Sequence, residues 1–79
     1  MHREVLIENI DKIHTTEMGI GRIQKNLGIE EEPVSYCISK LKQENSVVAK
    51  EGKNYYVEVD DCIITINSSS FTIITCHKI

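Results

Sequence analysis

The chain has 79 residues, 41% of them hydrophobic and 27% charged, which predicts one small domain over residues 1–79 with a thin core. Its formal net charge of −3 does not favour binding to nucleic acid, which usually requires a basic surface. No apolar run approaches the roughly 18 residues of a membrane span, and no signal-peptide core follows Met1, so we expect a cytoplasmic protein without membrane contact.

The first half of the chain, residues 1–45, has the periodicity of three helices. Apolar residues recur at helical spacing and predict a first helix over residues 3–13. Thr15 or Thr16 suits the N-cap of a second helix, which ends at Gly28 because glycine readily adopts the left-handed conformation.

A third helix begins at the run Glu30-Glu31-Glu32-Pro33 and ends near Glu44-Asn45. Proline fits the first helical position, and carboxylates are favoured at the positive end of the helix dipole. In the second helix, Gly19 and Gly21 weaken the first turn, which indicates that another group packs closely there.

The second half, residues 46–79, predicts four strands. Segments rich in β-branched and aromatic residues are separated by short turns and cover residues 46–50, 54–59, 62–67 and 70–77. Turns this short predict an antiparallel meander. The predicted fold class is therefore α+β, with three N-terminal helices packed on a four-stranded antiparallel β-meander.

The turns also predict a register. A turn at Asp60-Asp61 places Val57 opposite Ile64, and a turn at Ser68-Ser69 places Thr65 opposite Thr72. We expect one sheet face to lie beneath the helices, and it carries Tyr55, Val57, Val59, Cys62, Ile64, Ile66, Phe71 and Ile73.

The other predicted face is half apolar, which is unusual for a surface in water. It carries Tyr56, Glu58, Ile63, Thr65, Thr72, Ile74 and Cys76, with Val47 and Ala49 from the first strand. Either a helix crosses to this face or another subunit covers it. We predict an interface with a second copy or a small protein partner, formed by Tyr56, Ile63, Thr65, Thr72 and Ile74.

Strings along almost the whole chain resemble a known family of small bacterial proteins. They include Leu6-Ile7-Glu8-Asn9-Ile10-Asp11-Lys12-Ile13-His14-Thr15-Thr16-Glu17-Met18-Gly19, Gly52-Lys53-Asn54-Tyr55-Tyr56-Val57 and Ser70-Phe71-Thr72-Ile73-Ile74-Thr75-Cys76-His77-Lys78. The chain resembles the domain-of-unknown-function family 3781, and this resemblance implies no established activity. The family more often has tryptophan at the position of Tyr55 and alanine at that of Cys76, which argues against an essential thiol at Cys76.

The candidate catalytic residues are His14, Arg22 and His77. The order of elements is similar to that of small toxin ribonucleases of the RelE and barnase type, although only the order matches. A metal-independent ribonuclease needs a general base, a general acid and a cation, and these residues suit those roles. The predicted register places His77 opposite Asp60, whose carboxylate would orient the imidazole ring.

Each candidate also has an ordinary structural interpretation. His14 suits a helix–helix corner, Arg22 suits a solvated helix face, and His77 suits the end of a strand. Catalysis requires His14 and His77 to converge within about 10 Å in a cleft. Our leading interpretation is therefore a non-enzymatic interaction module that self-associates, with the ribonuclease as the alternative.

The three cysteines are Cys37, Cys62 and Cys76, and no pair has the close C-x-x-C spacing. Free thiols of this kind are typical of a reducing compartment. Cys62 and Cys76 fall on opposite sheet faces in the predicted register, so they cannot join one zinc site. We expect no metal and no cofactor, and the pattern leaves a redox role of the thiols open.

Overall fold

The computed structural model describes residues 2–79 and contains three helices followed by four strands. The elements are α1 (His2–Glu8), a 3₁₀ turn (Ile10–Lys12), α2 (Glu17–Leu27), α3 (Pro33–Leu41), β1 (Val47–Glu51), β2 (Asn54–Val59), β3 (Cys62–Asn67) and β4 (Ile73–Lys78). The strands form one antiparallel sheet in the order β1-β2-β3-β4. The predicted α+β class and β-meander are confirmed. Within residues 2–79, no helix has the length and apolar character needed to cross a membrane.

The ends of α2 and α3 follow from local capping. Thr16 is the N-cap of α2, and its hydroxyl accepts a hydrogen bond from the Gly19 N–H at 3.0 Å. Gly28 ends α2 in the left-handed conformation with φ 66°, as predicted. The Glu32 carboxylate caps α3 by accepting from the Ser35 N–H at 2.6 Å.

The predicted first helix over residues 3–13 is wrong as a single helix. It ends at Glu8, and the 3₁₀ turn follows after Asn9. The Asn9 side-chain amide donates to the Val5 carbonyl at 2.8 Å, and asparagine side chains that bond to nearby backbone in this way favour helix ends. The third helix also stops earlier than expected, at Leu41.

All three helices lie on one face of the sheet. α1 packs against β1, α2 against β4, and α3 against β2. At one edge, the Arg3 guanidinium donates to the Ser46 hydroxyl at 2.8 Å and to the Lys42 carbonyl at 3.1 Å, which fixes α1 to the chain that follows α3. The buried core consists of Leu6, Ile13, Ile23, Leu27, Cys37, Leu41, Tyr55, Val57, Val59, Cys62, Ile64, Ile66, Ile73 and Cys76.

The β2–β3 hairpin has the predicted register. Val57 lies opposite Ile64 and Tyr56 opposite Thr65. Asp60 and Asp61 form the turn with φ 47° and 65°, and two left-handed residues are what a two-residue hairpin turn needs to match the strand twist. Aspartate tolerates this conformation better than most residues.

The predicted register of the β3–β4 hairpin is wrong, because its loop has four residues rather than two. Asn67 pairs with Thr72 through its N–H, and the Phe71 N–H returns to the Asn67 carbonyl at 2.9 Å. The Asn67 side-chain oxygen also accepts from the amides of Ser69 and Ser70, each at 2.9 Å, which holds the wider loop. Phe71 therefore lies in the loop with φ 59° and is not paired with Ile66.

One extra residue then changes the faces of the last strand. Ile66 lies opposite Ile73, whereas Thr65 lies opposite Thr75, so Ile74 is the additional residue of a β-bulge. The four-residue loop alone shifts the β3–β4 pairing by two residues, which keeps each side chain on its predicted face. The bulge shifts the pairing by one more residue and moves the side chains that follow it to the opposite face. Cys76 consequently lies opposite Ile64 in the core rather than on the other face, which corrects its predicted position.

Candidate functional site

The helices leave the second face of the sheet uncovered, and we call this surface the open face. The register places these residues on it: Val47, Ala49, Tyr56, Glu58, Ile63, Thr65, Ile74, Thr75 and His77. α2 reaches this side at the β4 edge, where Asn26 Nδ2 donates to the Thr75 hydroxyl at 3.3 Å, whereas Val47 and Ile74 stay exposed. The open face is the candidate binding surface.

The open face is apolar over much of its area. Val47 is 65% exposed and Ile74 is 38% exposed, while Tyr56 and Ile63 are half-buried. At its centre, Thr65 is only 7% exposed because Tyr56 and Thr75 flank it on the neighbouring strands. The open face therefore has a buried threonine at its centre and larger apolar side chains around it.

Of the five predicted interface residues, the structure brings four together. Tyr56, Ile63, Thr65 and Ile74 share the open face. Thr72 does not lie opposite Thr65 as predicted. It instead lies before β4 and forms a parallel bridge with the segment that leads into α2.

His14 is fixed at the outer edge of β4 through its main chain. Its N–H donates to the Phe71 carbonyl at 3.2 Å, and its carbonyl accepts from the Ile73 N–H at 2.7 Å. The next residue, Thr15, donates from its hydroxyl to the Ile73 carbonyl at 2.9 Å. These hydrogen bonds pair the backbone groups at the start of β4, which is an edge strand and would otherwise leave them unpaired.

The His14 ring forms a polar network with two hydroxyl groups. Nδ1 lies 2.8 Å from the Lys12 carbonyl, which can only accept, so Nδ1 carries the proton. In the neutral ring, Nε2 then accepts from the Thr72 hydroxyl at 3.1 Å. Oγ1 of Thr72 is in turn 2.8 Å from Oγ of Ser70. A hydroxyl beside an imidazole can transfer a proton, and here the exposed network holds the loop against the segment before α2.

The structure does not bring the three predicted catalytic residues together. β4 advances by about 3.3 Å per residue, so the five residues from Thr72 to His77 span roughly 16 Å. His14 lies beside Thr72 at one end, and the exposed His77 lies opposite Ile63 near the other. Arg22 is exposed on α2.

Asp60 does not orient His77, which corrects the predicted pairing. Its carboxylate accepts from Asn45 Nδ2 at 2.8 Å and from Lys40 Nζ at 3.0 Å. These hydrogen bonds, the one from Asn45 first, lower the pKa of Asp60 below its usual range, and the bond that Lys40 donates to Asp60 raises the pKa of Lys40. The β2–β3 turn is thereby joined to the C-terminal end of α3.

The three thiols lie on the same side of the sheet, so the predicted separation of Cys62 from Cys76 is wrong. Cys37, Cys62 and Cys76 are all free and buried. The neighbouring Cys76 thiol, followed by burial, raises the pKa of Cys37, and the Cys37 thiol lowers the pKa of Cys76. Within residues 2–79, no three histidine, cysteine, aspartate or glutamate side chains form a group that could hold a metal ion.

Sequence reasoning missed the contact between His14 and Thr72 and the position of Cys76 on the covered face of the sheet. Both depend on the wider β3–β4 loop and on the bulge at Ile74. The wider loop could have been predicted from Asn67 and the three serines that follow it, because an asparagine side chain readily accepts hydrogen bonds from the backbone amides of a following turn. The bulge has no comparable signal in the sequence.

The family model for "Protein of unknown function (DUF3781)" matches residues 7–77 of the chain. That range includes all of the open face and the three cysteines. Neither the comparison with curated proteins nor the comparison with solved structures gave a match.

Proposed function

Since the chain belongs to the DUF3781 family, whose function is unknown, its role has to be inferred from its own residues, and we propose that it is a non-enzymatic interaction module that self-associates through the open face. The three free cysteines favour a reducing, cytoplasmic location for this module.

The observation that carries this proposal is the one-sided placement of the helices. Each helix contributes buried side chains to the core on the same sheet face. On the other side, Val47 and Ile74 are exposed and Ile63 is half-buried. Removing such apolar side chains from water is favourable. A sheet face of this composition is typical of a surface that a partner covers.

A second copy suits this surface because its central row has one large residue among small ones. From β1 to β4, the central row reads Ala49, Tyr56, Thr65 and Thr75. In a two-fold, face-to-face pair with the axis along the strands, β2 of one copy lies over β3 of the other. Tyr56 then lies over the partner's Thr65, so that each large side chain meets a small one.

The size of the open face predicts a weak dimer. Four strands about 4.8 Å apart and six residues of about 3.3 Å each give a footprint of roughly 380 Å² per copy. Two copies together bury roughly 760 Å² by this measure, which is below the ~1,200 Å² of a standard stable interface. We therefore expect an equilibrium between monomer and dimer that shifts with protein concentration.

Sedimentation equilibrium over a wide concentration range tests the proposal. The decisive variant is Ile63→Lys, because Ile63 lies opposite Glu58 and a lysine there keeps a favourable cross-strand neighbour in the monomer. The matched control is Ile20→Lys, which adds the same charge at an exposed apolar position on α2. The proposal predicts that only Ile63→Lys abolishes the rise in mass. An equal rise of mass with concentration in wild type and Ile63→Lys would contradict the proposal.

The alternative is a metal-independent ribonuclease or toxin-like domain that uses His14, Arg22 and His77. It has less support, since His14 and His77 lie beside opposite ends of β4. The net charge of −3 also gives RNA no general electrostatic attraction.

A further inference from the structure

Thr72 and His14 form a hydroxyl–imidazole pair at the outer edge of the sheet, beside the first residue of β4. Oγ1 of Thr72 donates to Nε2 of His14 at 3.1 Å, and Nδ1 of the ring donates to the Lys12 carbonyl at 2.8 Å. A hydroxyl, a base within hydrogen-bond reach and a group that orients the base are the parts of an activated nucleophile. Neither side chain is among those of the open face, so the proposed self-association leaves this pair unexplained.

The main chain holds the two side chains in place. The His14 N–H donates to the Phe71 carbonyl at 3.2 Å and the His14 carbonyl accepts from the Ile73 N–H at 2.7 Å, so these bonds lie on either side of Thr72. The Thr72 carbonyl also accepts from the Asn67 N–H at 2.9 Å. Groups that are already positioned in this way react without the entropy cost of being brought together.

The hydrogen bonds also assign the protons. Thr72 donates its single hydroxyl proton to Nε2, so the Ser70 hydroxyl, 2.8 Å from Oγ1, is the donor of that second contact. A hydroxyl oxygen can accept two hydrogen bonds, and the second lone pair of Oγ1 is the one that can attack. The bond from Ser70 stabilises negative charge on Oγ1, which aids transfer of the proton to His14.

A small molecule can reach the pair from solvent. His14 is exposed and Thr72 is half-buried. A second half-buried threonine, Thr75, lies on the same strand, and its hydroxyl accepts from the Asn26 side-chain amide at 3.3 Å. Thr75 therefore provides an internal reference, a hydroxyl of similar exposure that is bonded to an amide in place of an imidazole.

We propose that Thr72 is an acyl-acceptor site, at which His14 acts as the general base and a small activated ester acylates Oγ1. With p-nitrophenyl acetate, Oγ1 attacks the carbonyl carbon while Nε2 of His14 accepts the hydroxyl proton. The bond from the carbonyl carbon to the phenolic oxygen breaks, and His14 then gives the proton to the released nitrophenolate. The products are O-acetyl-Thr72 and p-nitrophenol.

The reaction ends with the modified chain because the backbone donors of the loop are already engaged. The N–H groups of Ser69 and Ser70 bond to Asn67 Oδ1, each at 2.9 Å. The Phe71 N–H bonds to the Asn67 carbonyl at 2.9 Å, and the Thr72 N–H bonds to the Ser70 hydroxyl at 3.4 Å. Hydrolysis of an unactivated acetyl-threonine ester requires such donors for its oxyanion. Acetyl-Thr72 therefore accumulates, and the ester is not turned over.

The test treats the full chain with p-nitrophenyl acetate and locates the acetyl groups by peptide mapping before and after hydroxylamine. Hydroxylamine cleaves esters and spares the amides that form at lysines. We expect a hydroxylamine-sensitive acetyl group at Thr72, and Thr72→Val should abolish it. His14→Gln should slow its formation by about 100-fold, because glutamine can still accept the Thr72 hydrogen bond but is not a base. The matched control, His2→Gln, changes another exposed histidine and should leave the rate unchanged.

Three results would overturn the proposal: equal rates of ester formation at Thr72 and Thr75, an undiminished rate in folded His14→Gln, or an ester confined to Ser69 and Ser70. If His14→Gln does not fold, the wild-type chain decides the question alone. Thr72 should then be acetylated at least about tenfold faster than Thr75, since only Thr72 is bonded to the base.

Discussion

Thr65 lies directly opposite Thr75 on the neighbouring strand, and Ile74 is the extra residue between Thr75 and the next pair. This bulge determines both surfaces of β4. It leaves Ile74 exposed beside Thr65 on the open face, and it turns Cys76 into the core beneath α3. One inserted residue therefore determines both the shape of the proposed interface and the position of Cys76 in the core.

Gly19 and Gly21 should respond in opposite directions to alanine. A Cβ at Gly19 would collide with Oγ1 of Thr15, whose hydroxyl donates to the Ile73 carbonyl at 2.9 Å. Gly19→Ala should therefore destabilise the fold by about 1–2 kcal/mol. No atom lies within 4 Å of a Cβ added at Gly21, so Gly21→Ala should stabilise α2 by about 0.5–1 kcal/mol.

Urea unfolding followed by circular dichroism measures both effects. Equal free energies of unfolding for the two variants would contradict the packing at Gly19. The sequence predicted a close approach at both glycines, and the structure places one only at Gly19.

Stability should fall in acid through Asp60. Its pKa is lowered in the folded state by the bonds from Asn45 and Lys40, so protonation favours the unfolded chain. The contribution is present above the unfolded pKa of about 4 and is lost as the pH falls through the lower folded pKa. Asp60→Asn should remove this contribution and keep the left-handed turn, because asparagine tolerates that conformation.

The urea midpoint of wild type and Asp60→Asn, measured from neutral pH to pH 2, checks this prediction. The matched control is Asp61→Asn, which makes the same charge change at the other left-handed residue of the turn. A loss of stability in acid that is identical in wild type and Asp60→Asn would rule out Asp60 as its source.

Much of the fold was predictable because local signals carry it. Thr16 and Gly28 mark the ends of α2, Pro33 marks the start of α3, and Asp60-Asp61 mark a hairpin turn. Each signal acts within a few residues. The class, the element order and the β2–β3 register follow from such signals.

The third register was not predictable because its cause is tertiary. The parallel bridge between His14 and Thr72 and the bulge at Ile74 depend on contacts with α2 and the core. Phe71 adopts a left-handed conformation that its type disfavours, and its partial burial against the core compensates for this. Four of the five predicted interface residues stay together. Three of them lie on β2 and β3, whose register was predicted correctly, and the two-residue shift keeps Ile74 on the same face.

We expect that the chain does not cleave RNA, contrary to the ribonuclease alternative. The wild-type chain, with EDTA present, should leave several RNA substrates intact, and the double variant His14→Ala/His77→Ala should behave identically. The separation of the two histidines along β4 is the physical reason. Cleavage by wild type that disappears in a folded double variant would favour the alternative over self-association.

The most direct test of the central claim is an isotope-filtered nuclear Overhauser experiment on a mixture of labelled and unlabelled chains at high concentration. It detects only contacts between copies, so the cross-strand contact of Tyr56 with Thr65 inside one chain does not interfere. The account predicts intermolecular signals between the Tyr56 ring and the Thr65 methyl group, and their loss in Ile63→Lys. Intermolecular signals confined to the helices, or none at concentrations where the mass has doubled, would contradict it.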